Sequence, residues 1–343
     1  MLAFKRKFYQ VHRGFIRYEQ FKGGVKASFL HLLFDGNDRK KMMYKEYEKC
    51  TLCPRKCCVN RNQDEKGFCG QTSVLKVGRA YLHLWEEPCV SGENGSGTVF
   101  FSGCSLHCCY CQNFNLSRGK EGVVTNAENL SRIFLNLQNE GAHNINLVTG
   151  EHFAPHIKEA IKNARKEGLS IPVILNSSGY VSLETLYYLQ DVIDIYLVDF
   201  KYMSPYLAKK YSEAEDYPDV AKMALEKMYK LAGMPAFNND GILQKGVIVR
   251  HLCLPECSDD SKEVIRYVYG NYKENVLLSI MSQYTPFGNC GKYPELTRKL
   301  TTEEYDEIID FCLGIGIENA FIQEEEAASE SFIPAFDGKG VAF

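Results

Sequence analysis

The sequence predicts an α/β fold, a partial (β/α)6 barrel with a cysteine-rich segment ahead of it. Two patterns carry that expectation. From residue 97 onward, short apolar runs alternate with stretches whose apolar residues recur at helical spacing, the mark of a parallel sheet covered by helices. Ten of the fourteen cysteines crowd between Cys50 and Cys111, ahead of and just beyond the first of these apolar runs.

In order along the chain, 97–103 (GTVFFSG) reads as a strand ending at a cysteine loop. Leu130, Ile133, Phe134 and Leu137 mark a helix, and 145–148 (INLV) is the next strand. Ile157, Ile161 and Ala164 mark a second helix, followed by the strand 172–175 (PVIL). A helix over 183–189 leads into the strand 193–200 (IDIYLVDF). Helical spacing returns over 220–231, then 246–254 (GVIVRHLCL) reads as a strand. A helix over 261–269 and a strand over 276–284 follow. Thr301 and Glu304 have the spacing of a capping box at the start of another helix, and 320–323 is the last strand. Six or seven such units suit one barrel or partial barrel better than two domains. In such folds the chemistry gathers where strands end and loops begin.

The 343 residues are 45% hydrophobic and 24% charged, ordinary for a packed globular chain. A net charge of −3 gives no general reason to expect nucleic acid or an anionic membrane as partner. No apolar run approaches the ~20 residues of a membrane span. The first residues lack the long apolar stretch of a signal peptide, so a cytoplasmic location is expected. In a reducing compartment, clustered cysteines hold metal more often than they form disulfides. Residues 1–41 carry ten Lys/Arg against three Asp/Glu, and read as a basic arm touching a partner or as a loosely ordered extension. The expected division is therefore 1–41, the cysteine-rich 42–96, the barrel 97–330 and a tail 331–343.

Cys104, Cys108 and Cys111 form Cys-x3-Cys-x2-Cys on the loop after the first strand. Thiolates are soft ligands for iron–sulfur clusters or zinc. Three of them leave one iron of a [4Fe–4S] cube open, and an open iron can chelate a small molecule. Cys109 adjoins Cys108 and reads as a packing residue. Upstream, Cys50, Cys53, Cys57 and Cys69 have the spacing of a second metal site, zinc or iron–sulfur, with Pro54, Gly67 and Gly70 favouring the turns it needs. Cys312 lies on an apolar helix and reads as core.

The run from Phe101 to Asn113, with the aromatic Tyr110 before its last cysteine, resembles the signature of the radical S-adenosylmethionine (SAM) superfamily. The longer match is similar to the activating-enzyme branch, close to pyruvate formate-lyase activating enzyme homologues. It includes the Cys50 to Cys69 group, the string His83-Leu84-Trp85-Glu86-Glu87-Pro88 and the string from Gly141 to Val148, and covers about residues 44–330. This resemblance implies a cytoplasmic oxidoreductase of anaerobic metabolism that cleaves SAM reductively at a [4Fe–4S] cluster. The products are methionine and a 5′-deoxyadenosyl radical that removes hydrogen from a substrate. Its implied partners are a glycyl-radical enzyme as protein substrate and a flavodoxin- or ferredoxin-type electron donor.

The resemblance also carries over site residues. Thr149-Gly150-Glu151 stands where the superfamily usually has Gly-Gly-Glu, so Gly150 and Glu151 would meet the SAM ammonium. Asn176 and Ser177 would lie near the ribose or a cation. Asp199 and Lys201 match an Asp-x-Lys element, with Lys201 near the SAM carboxylate. Arg250 lies within the fifth strand, where its guanidinium needs an anionic partner. Beside it, His251 in an apolar strand reads more readily as a satisfied core residue. Modification of another protein, a peptide or a small molecule is the alternative function, and a non-catalytic iron–sulfur or zinc protein is a third.

Overall fold

The computed structural model describes residues 43–287, 290–323 and 335–341, so the basic segment 1–41 lies outside them, as does part of the tail. The cysteine-rich segment holds two single-turn helices, Lys45–Tyr47 and Arg61–Gln63. The elements that follow are β1 (Lys76–His83), α1 (Pro88–Ser91), β2 (Ser96–Phe101), α2 (Phe114–Ser117) and β3 (Val123–Val124). Next come α3 (Ala127–Asn139), β4 (Ile145–Val148), α4 (Ala154–Lys166), β5 (Val173–Ser177), α5 (Leu183–Leu189) and β6 (Ile195–Asp199). The chain continues through α6 (Pro205–Ser212), α7 (Tyr217–Ala232), β7 (Ala236–Phe237), β8 (Leu243–Leu252) and α8 (Ser258–Tyr272). It then forms β9 (Leu277–Met281), α9 (Thr302–Gly314) and β10 (Ala320–Ile322).

Strands β2, β4, β5, β6, β8, β9 and β10 are parallel neighbours in chain order, each pair joined through helices. The alternation read from the sequence is present. The hydrogen-bonded path is open, running from β10 at one end to β3 at the other among the described residues. The antiparallel pairing of β1 with β2, and of β3 with β1, was not foreseen. Lys76, Gly78 and Arg79 break the apolar pattern of β1, and its register shifts between Val77 and Arg79. Residues 76–83, assigned by sequence to the cysteine-rich segment, thus belong to the main sheet.

The strands are apolar on both faces because both are covered. On one face Val99, Phe101, Ile145, Leu147, Val173, Leu175 and Val198 pack with the buried stripe of α3 and α4, including Leu130, Ile133, Phe134, Ile157 and Ile161. On the other face a small separate core of Cys89, Val90, Ile174, Ile195, Leu197, Leu243 and Ile248 forms near the amino ends of the strands. The turn of α1 supplies Cys89 and Val90, and Asn144 Nδ2 donates to the Val90 carbonyl at 2.8 Å. The helices start on local signals. Asn126, Ser182 and Ser204 cap α3, α5 and α6, and Thr301 and Glu304 close the expected capping box on α9. No helix among the described residues is long and apolar enough to cross a membrane.

Buried polar contacts fasten the cysteine-rich segment to the sheet. The Tyr47 hydroxyl meets His156 Nδ1 at 2.9 Å, and Arg61 Nη1 donates to the His152 carbonyl at 2.5 Å. His152 itself bonds the Ser102 carbonyl through Nε2 at 2.8 Å. Burial pushes the pKa of His152 and His156 down to about 3, and that of His251 to about 4. The unfolded chain takes up these protons near pH ~6.5, so stability is complete above that and declines as pH falls toward the folded values. Urea unfolding should therefore show a falling free energy from about pH 7 to about pH 5. A flat profile would refute the neutral, buried state of these rings.

Candidate active site at the carboxyl ends of the strands

The loop after β2 is shaped by backbone that ordinary residues resist. Gly103 has φ +88, and a Cβ there would stand 2.6 Å from the Cys69 carbonyl oxygen. His107 also takes a positive φ of 59°. This path turns Cys104, Cys108 and Cys111 into a shared neighbourhood, each close enough to feel the charge of another. Cys104 Sγ accepts from the Leu106 N–H at 3.4 Å, and Cys108 Sγ accepts from Ser212 Oγ at 3.0 Å. The Cys111 thiol accepts from Ser117 and from the backbone of Asn113. Burial pushes the Cys104 thiol up to about 12, so a metal must displace its proton. Cys109 sits beside Cys290 instead, and its N–H bonds the Tyr211 carbonyl. The Tyr110 hydroxyl is taken up by Tyr202 at 2.5 Å, which in turn meets Ser212 Oγ at 2.8 Å.

Beyond β4, Thr149 lies at φ +54, a strained position for a β-branched residue. Gly150 has no room for a side chain, since a Cβ would come within 2.6 Å of Ile157 Cδ1 and 3.0 Å of the Phe101 ring. The two together turn Glu151 inward. Its carboxyl accepts from Ser177, but Oε1 is buried with no hydrogen-bond partner. Burial raises its pKa above the usual carboxylate range. A buried acceptor without a donor is costly, and marks a place where a donor belongs.

At the ends of β5, β6 and β8 the sheet carries a buried charge network. Arg250 Nε donates to Asp199 Oδ1 at 2.9 Å, Nη1 to Glu86 Oε2 at 3.0 Å and Nη2 to Asn176 Oδ1 at 2.8 Å. Asp199 Oδ2 also accepts from Lys201 Nζ at 2.7 Å. Burial alone would raise the Asp199 pKa, but Arg250 and Lys201 outweigh it and hold the carboxyl at about 2. Lys201 also feels Cys108, so the network touches the cysteine loop. Glu86 also accepts from Asn146 Nδ2 at 3.0 Å.

The structure separates the remaining expectations. His251 points to the helix-covered face, where Nδ1 meets the Phe200 carbonyl at 2.8 Å and Nε2 meets Ser261 Oγ at 2.9 Å, a satisfied core residue. Cys50, Cys53, Cys57 and Cys69 come together in the cysteine-rich segment, against the loop of Cys104. Among the described residues no three His, Cys, Asp or Glu side chains close on a point that would hold a single ion. Sequence reading missed Glu86 as the partner of Arg250, and Ser212 as a donor to Cys108. Paired glutamates between Trp85 and Pro88 were the available signal for the first, while nothing local marks Ser212. A hollow of about 580 Å³ at the opposite ends of the strands is lined by Lys162, Arg165, Asp191 and Asp194. Those charges pair with one another, Lys162 with Asp191 and Arg165 with Asp194.

The family model described as the radical SAM superfamily matches residues 98–267, and the chain belongs to that superfamily. The uncharacterized protein MJ0674 of Methanocaldococcus jannaschii is 28% identical over 273 residues, covering 78% of this chain and 75% of that protein. Crystal structures of Streptococcus suis SuiB are also similar, one bound to the precursor peptide SuiA and one bound to S-adenosylmethionine. They align with a TM-score of 0.43 each, at 12% and 10% identity, over 64% of this chain. The matches span 46% and 45% of those chains, less than half their length. Members of that superfamily typically bind SAM and a [4Fe–4S] cluster.

Removing Arg250 would strand Glu86 without its cation and leave Asp199 with Lys201 alone. Arg250→Ala should destabilise the fold by about 3–5 kcal/mol, measured by urea unfolding. Lysine cannot reproduce its three-way reach, so Arg250→Lys should recover only part of this. Unchanged stability in Arg250→Ala would show that the network does not hold the strand ends.

Proposed function

We propose that Cys104, Cys108 and Cys111 hold a [4Fe–4S] cluster with one iron open to SAM. In this reading the chain removes hydrogen from a protein, peptide or small-molecule substrate. The observation that carries it is the buried, unpartnered Glu151 Oε1 at the same strand ends as three mutually close thiols. Three soft ligands suit an iron–sulfur cluster with a vacant corner, and the orphaned oxygen suits an ammonium group. When bound, the cluster and SAM supply reductive cleavage of the sulfonium to a carbon radical.

The protein's own part is positioning. Glu151 accepts from the SAM amino group while Ser177 fixes its carboxyl, and the absence of a Gly150 side chain lets the backbone approach. Lys201, steadied by Asp199 and close to Cys108, offers a cation to the SAM carboxylate. Asn176, Asp199 and Arg250 spend their polar atoms on one another and on Glu86, so they are assigned as positioning residues rather than direct ligands. Tyr110 is assigned the same way, its hydroxyl being engaged by Tyr202. Activation of a glycyl-radical enzyme, fed by a flavodoxin- or ferredoxin-type donor, is the special case suggested by the motif resemblance. The wider reading rests on the superfamily alone and is the one adopted.

Reduced, anaerobically reconstituted protein should form 5′-deoxyadenosine from SAM, and Cys108→Ala should form none. Full activity in Cys108→Ala would overturn the ligand assignment. Glu151→Gln should weaken SAM binding by roughly 10–100-fold in equilibrium titration, the loss of a buried charge-assisted bond. Only the ionised carboxylate attracts the ammonium, so affinity should also fall as pH drops through the raised Glu151 pKa. An organic radical signal on mixing with a glycyl-radical enzyme would select the special case, and its absence would leave the wider one.

A further inference from the structure

The cysteine-rich segment holds a second concentration of soft ligands that the proposed reaction does not use. Cys53 and Cys69 each feel the charge of the other and of Cys50 and Cys57, so the four thiols form one group. The backbone is wound tightly to make it. Lys56 and Cys58 have φ of +42 and +55, the Cys58 N–H bonds the Cys50 carbonyl at 3.0 Å, and the Lys56 N–H bonds the Cys53 carbonyl at 3.0 Å. Gly67 passes so close that a Cβ would stand 2.4 Å from Cys57 Sγ.

Two features repeat the architecture of the first cysteine loop or complement its charge. The Cys53 and Cys69 thiols accept backbone N–H bonds from Arg55 and Gln71, two residues on. Cys104 and Cys111 accept from Leu106 and Asn113 in the same way. Backbone donors aimed at sulfur stabilise the thiolate, the form that binds metal. Arg61 is fully buried beside this group. Its guanidinium donates to the Thr72 and His152 carbonyls and to Cys50 Sγ at 3.8 Å, with no carboxylate among those partners. The Tyr47 ring, 4.2 Å away, offsets only part of the charge. A buried cation without an anion is strongly unfavourable.

We propose that Cys50, Cys53, Cys57 and Cys69 bind a second [4Fe–4S] cluster whose net negative charge is the missing partner of Arg61. A structural zinc site would draw all four sulfurs onto one point, whereas a cubane takes each thiolate on a different iron. The backbone donors to sulfur shared by the two cysteine loops are the ground for assigning the same cluster type to both. With every iron ligated by protein, this cluster leaves no corner for SAM. It lies directly against the first loop. The Cys69 carbonyl abuts Gly103, Phe68 stacks on His107 at 4.3 Å, and Arg55 Nε donates to the Ser105 carbonyl at 2.9 Å.

The test is iron, sulfide and zinc analysis with Mössbauer spectra of the anaerobically reconstituted full chain. Wild type should hold about eight irons as two cubanes, and the Cys104→Ala/Cys108→Ala/Cys111→Ala variant about four. The reduced cluster of that variant should give an electron paramagnetic resonance signal that SAM does not alter. A wild type with about four irons and one zinc, or a triple variant with no iron, overturns the proposal. The wild-type count decides even if the variant fails to fold. Two cubanes without any SAM cleavage would leave this inference standing while the proposed function failed.

Discussion

The Arg250 guanidinium meets three partners at once, on segments remote in sequence: Glu86 after β1, Asn176 on β5 and Asp199 on β6. Each contact is polar and buried, so each is dear to lose once formed. Because Arg250 holds Asp199, Asp199 is ionised and can hold Lys201 next to the cysteine loop. Because Glu86 binds both Arg250 and Asn146, the segment entering α1 is tied across β4 and β8. The carboxyl ends of the sheet are therefore set by electrostatics, and their amino ends by the small apolar core around Cys89 and Val90.

The cysteine loop depends on supports that arrive from far along the chain. Ser212, at the end of α6, reaches Cys108 and meets the Tyr202 hydroxyl, which in turn meets that of Tyr110. Arg55 lies over the Phe68 ring at 3.8 Å while bonding carbonyls at Ser105, Ser212 and Glu213. The cysteine-rich segment, the loop after β2 and the end of α6 thus form one packed unit, and strain at His107 is held in place by its neighbours.

Features with a local physical cause were legible in the sequence. The parallel strands show as apolar runs because they are buried on both faces, and the Thr301–Glu304 box shows because capping needs fixed spacing. The grouping of Cys104, Cys108 and Cys111 follows from one loop. His251 proved a core residue, as its apolar strand suggested. Features that depend on distant partners were not legible. Strand β1 carries Lys76 and Arg79, and it pairs because β2 offers an edge, which its own pattern does not announce. The motif resemblance marked Asp199, and Arg250 was left in need of an anion, but only the fold shows that the two bind each other. Ser212 and Arg61 are ordinary in sequence and exceptional in their surroundings.

The short turn of α1 stops one end of the second face of the sheet, leaving the cysteine loop and Glu151 at the other. Those four residues of helix act as a floor to that face, filled by the side chains of Cys89 and Val90.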